Sequence, residues 1–428
     1  MTRRALYGIL LNRWLLLFGL LVSLLLIWLS SSDNSRVWSV RNTLEYRFLQ
    51  QWWQVVGVPQ QGAPGSISGV VLDVEGHPLP NAAVLAARWD GTTYHARSGV
   101  DGGYVVEGIP AGIYRPVAGA PGYESQVLGE LWGAVQVDSG MDTTVNVALA
   151  PEPEREIRPA SELVLDTPST RHCESPLASS AIRRAITFWS DGRPNQTTFL
   201  YRPVEAPIDS ELATLLAVYP GPTETWECTS VPLAAAGYAV LAVGPAYSLD
   251  LERDVDELEQ LLNLTRARAF PGIDGERIAV LGGSYSALLT QRLLQRDEAI
   301  DAAVLLGPPT DLFDIRRRFE AGTFIPPFGL DRVLVALGLP DRDPMPYWRY
   351  SSIYHLHPNM PPTAIFHSYQ DEIVPYQQSV QLANVLDELG VEHELYLFDG
   401  ATHYLLEASE QALEIYDLTL AFLAQHLR

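Results

Sequence analysis

The stretch that most restricts what this chain can become is Arg277 to Leu289, RIAVLGGSYSALL: a short apolar run, a tight turn of small residues carrying Ser284, then a helical run. A serine on a strand-to-helix turn exposes its hydroxyl at the edge of a sheet and points the following backbone N–H at the same space. The turn reads Gly282-Gly283-Ser284-Tyr285-Ser286, close to G-x-S-x-G but with serine where the second glycine is usual. Its flanks must be small because the backbone at the serine is strained and the helix packs tightly on the strand, a demand Ser286 and Ala287 still meet. Ser284 is therefore a candidate nucleophile.

Partners for it follow in chain order. Ile365 to Pro375, IFHSYQDEIVP, reads as a strand running into a loop that places Asp371 87 residues after Ser284. Leu395 to His403, LYLFDGATH, is a second strand and loop, ending in a histidine 32 residues later. Ser, Asp and His in that order, each just beyond a strand, is the arrangement of the α/β-hydrolase fold. A serine hydroxyl is a poor nucleophile at neutral pH, so His403 would act as general base and Asp371 would fix the imidazole's tautomer. Apolar segments near 214–219, 239–243, 278–282, 302–306, 363–367 and 394–398 alternate with helical stretches such as 251–267 and 376–389. That alternation predicts a mostly parallel sheet, eight strands in this fold, with helices on both faces. A hairpin around Asp191-Gly192 opens it.

An oxyanion needs donors. The loop after an earlier strand, Tyr219-Pro220-Gly221-Pro222, contains two prolines and offers no run of backbone N–H groups. The Tyr219 hydroxyl, paired with the backbone N–H of Tyr285, is the expected oxyanion hole; a core tyrosine at a strand end is the alternative.

These motifs carry a resemblance. VYPGP, the GSY of the elbow, HSYQDEIVPYQQS and GATH together resemble the catalytic domain of the prolyl oligopeptidase family, its dipeptidyl peptidase and acylaminoacyl peptidase branches above all, over roughly residues 180 to 428. The resemblance implies a serine peptidase in which the tyrosine before the glycine turn lends its hydroxyl to the oxyanion. Two departures are Ser286 and the segment Gly244-Pro245-Ala246-Tyr247-Ser248, where the family has an Asp-x-Arg-Gly-Ser loop; the second bears on peptide specificity. The propeller that screens substrates in many such peptidases is absent from the sequence.

A net charge of −22 excludes a nucleic-acid partner, since phosphate binding wants a basic surface. All basic residues are arginine, which removes Schiff-base and Ser-Lys chemistry. Cys173 and Cys228, the two cysteines, exclude a disulfide scaffold and a cysteine zinc site; they either pair, if the body is exported, or are two buried thiols. His355-x-His357 sits in a proline-rich loop without metal-site spacing, and no metal or cofactor is expected.

Residues 1–32 hold Arg3, Arg4 and Arg13 followed by the uncharged run Trp14 to Leu29, 16 residues flanked by tryptophans. This reads as a signal anchor with the rest of the chain outside the cytoplasm, or alternatively as a signal peptide cleaved near Ser30-Ser31-Ser32 with a secreted product. Residues 33–65 carry an amphipathic pattern (Val37, Val40, Leu44, Phe48, Trp52, Val55), lying on the membrane or packed on the next domain, and then a linker. Residues 66–150 alternate short apolar strands with turns such as Asp90-Gly91 and Pro121-Gly122, the pattern of an all-β sandwich. The segment ISGVVLDVEGHPLPNAAV with SGVDGGYVVEGIPAGIYRPVAGAPGY resembles a carboxypeptidase regulatory-like domain, which implies an extracytoplasmic, non-catalytic spacer or a module binding a polymer or protein.

Residues 151–180 read as a linker and 181–428 as the α/β domain, interrupted at 308–361 by an insert rich in proline and aromatics. Phe313, Phe319, Phe324, Phe328, Tyr347, Trp348 and Tyr350 within it are expected to form a lid and substrate pocket. Arg316-Arg317-Arg318 is either a solvated helix face or a clamp for an acidic substrate group. The reading as a whole is a membrane-tethered serine hydrolase acting through an acyl-enzyme on a peptide or, alternatively, an ester. A reading from another class is a non-enzymatic surface protein with a degenerate hydrolase domain.

Overall fold

The structure, a computed structural model, describes residues 19–23, 44, 62–129, 134–153, 161–175, 177–190, 192–244, 251–324, 334–335, 337–405 and 409–427. Among the described residues no helix is long and apolar enough to cross a membrane. The expected anchor lies outside them except for residues 19–23, which are helical. The amphipathic stretch from Val37 lies outside them except for Leu44.

The C-terminal part is built on one sheet. Its strands are β1 (Ser161–Leu165), β2 (Ser169–Cys173), β3 (Ser179–Ser190), β4 (Arg193–Pro194), β5 (Thr198–Pro203), β6 (Leu212–Val218), β7 (Ala239–Val243), β8 (Ile273–Gly283), β9 (Ala302–Leu306), β10 (Thr363–Ser368) and β11 (His393–Phe398). Their order is β1-β3-β5-β7-β6-β8-β9-β10-β11, with β2 and β4 also paired to β3. From β7 to β11 the pairs are parallel. The N-terminal strands are antiparallel. The sheet thus has 11 strands rather than the expected eight. Two of the additional strands, β1 and β2, come from the segment expected to be a linker, because its alternation is too short and polar to register as strand until β3 provides an edge.

Helices cover both faces, which is why the central strands are apolar throughout: LATLLAV, AVLAV and AAVLL. On one face lie α2 (Leu251–Arg266), α3 (Tyr285–Arg296) and α6 (Gln377–Leu389), burying Leu258, Leu293 and Leu386 against Leu216, Leu241 and Val280. On the other lie α1 (Glu227–Ala235) and α7 (Ser409–His426), burying Val231, Tyr416 and Phe422 against Ala217, Leu281 and Phe366. Cys173 of β2 and Cys228 of α1 are joined by a disulfide. Of the two states left open by the sequence, this is the paired one.

The β-rich domain has two four-stranded sheets. One pairs Gly65–Asp73 with Gly103–Ile109, Val147–Leu149 and Asp142–Thr144; the other runs Thr93–Arg97, Ala83–Ala87, Val117–Gly119, Gln126–Val127. Ile67, Val84, Ala86, Tyr104 and Leu149 fill the space between them. Strand 83–87 is buried on both faces. Its outward residues Ala83, Leu85 and Ala87, with Val117, pack on Leu312, Phe313, Tyr347, Trp348 and Tyr354 of the insert. Phe313, Tyr347 and Trp348, expected in a lid, are therefore buried in the contact between the β-rich domain and the α/β domain, with Phe319 and Tyr350 packed beside them; Phe328, also expected in the lid, lies outside the described residues.

The helices of that insert are α4 (Leu312–Glu320) and α5 (Met345–Arg349). Arg316 is fully buried and donates from Nη1 to the carbonyls of Leu334 and Gly338 and to the Tyr347 hydroxyl, with Nη2 2.8 Å from Glu320. Arg317 and Arg318 both pair with Asp314. The triple arginine is thus neither a uniformly solvated face nor a clamp for substrate: one member is an internal strut and the other two are surface ion pairs.

Candidate active site

Parallel sheets place their loops at the carboxyl ends of the strands, and the site is built there. Ser284 follows β8 and caps α3 with φ 52° and ψ −124°, a left-handed conformation that a non-glycine residue adopts only when its surroundings enforce it. Two contacts enforce it. The Ser284 N–H donates to the Leu306 carbonyl of β9, and a Cβ on Gly282 would come within 2.2 Å of the Thr290 hydroxyl oxygen, so only glycine lets α3 approach β8 this closely.

Ser286, the departure from the usual motif, is fully buried and bonded. Its hydroxyl donates to the Val218 carbonyl at 2.6 Å and accepts from the Gly283 N–H at 3.0 Å. The serine therefore ties the turn to the end of β6, a link glycine could not make.

The structure brings Ser284, Asp371 and His403 together. His403 Nε2 lies 2.7 Å from Ser284 Oγ, and His403 Nδ1 lies 2.7 Å from Asp371 Oδ2. Since Nδ1 faces a carboxylate it carries the ring proton, leaving Nε2 to accept from the serine hydroxyl. Burial opposes ionisation of Asp371, but hydrogen bonds from His367 and His403 outweigh it and hold the carboxyl well below the usual range. Its other oxygen, Oδ1, accepts from the N–H groups of Ile373 and Val374 at 2.8 and 2.7 Å. The His403 N–H donates to Glu372 at 3.1 Å, fixing the loop after β11. Gly307, at φ +52°, lies flat against this pair: a Cβ there would sit 3.4 Å from both Asp371 Oδ2 and the His403 ring.

Tyr219 is the expected site residue that the structure moves elsewhere. Strand parity decides it: Leu216 and Val218 face α2 and α3, whereas Ala217 and Tyr219 face α1 and α7. The ring stacks on Trp226 and its hydroxyl lies 2.7 Å from the Ser230 hydroxyl of α1. Burial pushes that hydroxyl well above its ordinary range. Tyr219 is thus a core tyrosine, with its hydrogen bond already made away from Ser284. Tyr285 occupies the first turn of α3, where amides have no acceptor within the helix. The segment 245–248, which departs from the family's loop, lies outside the described residues.

His367 joins the site although the motifs assign it no role. It is completely buried, with Nε2 3.0 Å from Asp371 Oδ2 and 3.0 Å from the Val374 carbonyl oxygen. Its signal in the sequence is a histidine four residues ahead of the carboxylate, near the end of an otherwise apolar strand.

Among the described residues, Asp73, Glu75 and His77 form the one convergence of potential metal ligands, with atoms within 4.8 Å of one another. Asp73 is already committed to the N–H groups of Glu75 and His77 and to the His77 ring, contacts that close a turn.

This geometry is matched by relatedness. The family model for the prolyl oligopeptidase family matches residues 251–428, which contain all three members of the triad. Those residues form a prolyl oligopeptidase family domain. The prolyl oligopeptidase domain is preceded by a match to the carboxypeptidase regulatory-like domain over residues 66–150. An uncharacterized peptidase, YuxL of Bacillus subtilis (strain 168), is 25% identical over 224 residues, covering 48% of this chain and 33% of that protein. The chain therefore spans about a third of the length of this curated relative. Among solved structures, a butyrate-bound esterase, Est2 of Thermogutta terrifontis, is 19% identical with a TM-score of 0.44, covering 55% of this chain and 90% of its own. An acetyl ester-xyloside bifunctional hydrolase of Caldicellulosiruptor lactoaceticus is 20% identical with a TM-score of 0.44, covering 55% and 90%.

Proposed function

We propose that the prolyl oligopeptidase domain is a serine peptidase working through an acyl-enzyme. The observation that carries this is the unbroken line Ser284–His403–Asp371, two contacts of 2.7 Å each, within a domain matching a peptidase family. Ser284 Oγ attacks the substrate carbonyl while its proton passes to His403 Nε2; Asp371 holds the resulting imidazolium. The oxyanion forms at the N-terminus of α3, where the Tyr285 N–H and the positive end of the helix favour negative charge. His403 then returns the proton to the leaving amine. Water repeats the sequence to release the acyl group.

A carboxylic-ester hydrolase is the second reading. It is favoured by the position of Tyr219, whose hydroxyl is engaged by Ser230, so that the feature linking the oxyanion hole to peptidases lies elsewhere.

We also place the catalytic body outside the cytoplasm, tethered by the segment 14–29. The Cys173–Cys228 disulfide supports this, because disulfides persist in oxidising compartments.

The test uses the full chain in detergent, comparing wild type with Ser284→Ala and His403→Ala. Fluorophosphonate labelling should require both residues, and aminoacyl amides should be turned over alongside short acyl esters. Ester turnover with no amide cleavage sinks the peptidase reading in favour of the esterase. Absence of labelling in folded wild type points to a non-enzymatic surface protein.

A further inference from the structure

Asp371 has two imidazoles on one oxygen. Oδ2 lies 2.7 Å from His403 Nδ1 and 3.0 Å from His367 Nε2. His367 is fully buried, near the end of β10. Its Nδ1 lies 2.6 Å from the Ser379 hydroxyl of α6, and Ser379 is fully buried as well. The tautomer follows from the partners. Nε2 faces two acceptors, Oδ2 and the Val374 carbonyl, so it carries the proton; Nδ1 is then the acceptor for the Ser379 O–H. Reversing the tautomer would set a lone pair against a carboxylate and a carbonyl in a dry site, at a cost comparable to a lost buried hydrogen bond.

We propose that His367 is a positioning residue for the triad, a second imidazole that saturates Asp371 Oδ2 and is itself locked in one tautomer by Ser379. This rests on the triad reading above. It gives the site a continuous chain, Ser379 to His367 to Asp371 to His403 to Ser284, in which every polar atom between the end members is committed. The chemical consequence is a moderated carboxylate. With His367 donating to the same oxygen, less of the Asp371 charge is available to stabilise the His403 imidazolium than with an otherwise identical lone carboxylate. The other groups around His403 are the Glu372 carboxylate, which accepts its N–H, the ring of Tyr404, and Gly307, which brings no charge.

The experiment measures the rate of fluorophosphonate labelling against pH for the full chain. Variants are His367→Leu, which removes the donor, His367→Gln, which keeps an N–H near the Nε2 position, and Ser379→Ala, which keeps the ring and removes the hydroxyl selecting its tautomer. Removing the donor should slow labelling about tenfold and move the acid limb up by roughly half a pH unit or more. The glutamine variant should restore the wild-type limb. Ser379→Ala should shift the limb in the same direction by less, and it decides the matter if the leucine variant fails to fold. An acid limb unmoved in every folded variant overturns the proposal and leaves His367 a packing residue. Labelling that persists in Ser284→Ala overturns instead the triad reading beneath it.

Discussion

Trp348 of the insert donates its indole N–H to the Ser125 hydroxyl of the β-rich domain at 2.9 Å. The same ring stacks on Tyr354 and meets His355 edge-on, so one side chain is both the apolar centre and a polar clasp of the contact between domains. Arg97 adds a second clasp, donating to the Ile353 carbonyl at 3.1 Å. Trp348→Ala should cost about 3–5 kcal/mol in chemical unfolding, as for other buried aromatic truncations. Trp348→Phe and Ser125→Ala should each cost about 1 kcal/mol, the net value of one hydrogen bond. In a double-mutant cycle those two should not add, the shortfall being the bond they share. Full additivity would mean that the clasp does not form.

His355 gives the same interface a pH dependence. Burial pushes its imidazole down to about 4, despite the hydrogen bond it makes to the Trp348 carbonyl at 2.8 Å. The folded state therefore favours the neutral ring. Stability from this group is fully present above the unfolded value near 6.5 and is lost as pH falls toward 4. The loss at pH 4 is at most about 3 kcal/mol, since each tenfold change in proton affinity is worth about 1.4 kcal/mol. The expected outcome is a falling midpoint of urea unfolding between pH 6.5 and pH 4, with the slope flattened in His355→Gln. A variant with the wild-type slope would assign that acid sensitivity to other groups.

The triad is legible in the sequence because each member stands just past an apolar strand, and strand ends in a parallel sheet converge whatever the loops do. Tyr219 departs from its expected place for a related reason. The motif identifies the residue, but its direction depends on which parity of β6 continues past Val218, and only the packed helices fix that. The contact between domains leaves a trace of its own: Ala83 to Ala87 is apolar at every position, whereas a sandwich strand with one solvated face alternates. The insert's aromatics read as a lid and pocket, because an apolar cluster in the sequence calls for a partner without saying that the partner of Phe313, Tyr347 and Trp348 is another domain. His367 and Ser379 are invisible as a pair because a hydrogen bond between a strand and a helix leaves no periodicity behind.

The two residues around the oxyanion side should separate cleanly on mutation. Tyr219→Phe removes a hydroxyl bonded to Ser230 in the core, so labelling by a fluorophosphonate should stay within about threefold of wild type while stability falls by about 1 kcal/mol. Ser286→Ala removes the tie between the turn at Ser284 and the Val218 carbonyl, so the nucleophile loses a support and labelling should slow by about tenfold. A loss of about a hundredfold in Tyr219→Phe would return its hydroxyl to the oxyanion hole.

The disulfide closes a loop between residues 55 apart, Cys173 and Cys228. On the chain-entropy account a loop of that length is worth about 4 kcal/mol. The bond is backed by charge: Glu227, next to Cys228, accepts from Arg171 and Arg183 at 2.8 and 2.7 Å and from the Tyr201 hydroxyl at 3.2 Å, all from strands β2, β3 and β5. Reduction should therefore lower the unfolding midpoint without releasing β2 at room temperature, and labelling at Ser284, which follows β8 rather than β2, should survive. Cys173→Ser with Cys228→Ser should reproduce the reduced protein. Glu227→Gln in the reduced state should then lower stability further than it does in the oxidised one, because the covalent tie no longer holds the strand in place when the ion pairs weaken. Equal effects in both states would show that the two devices act independently.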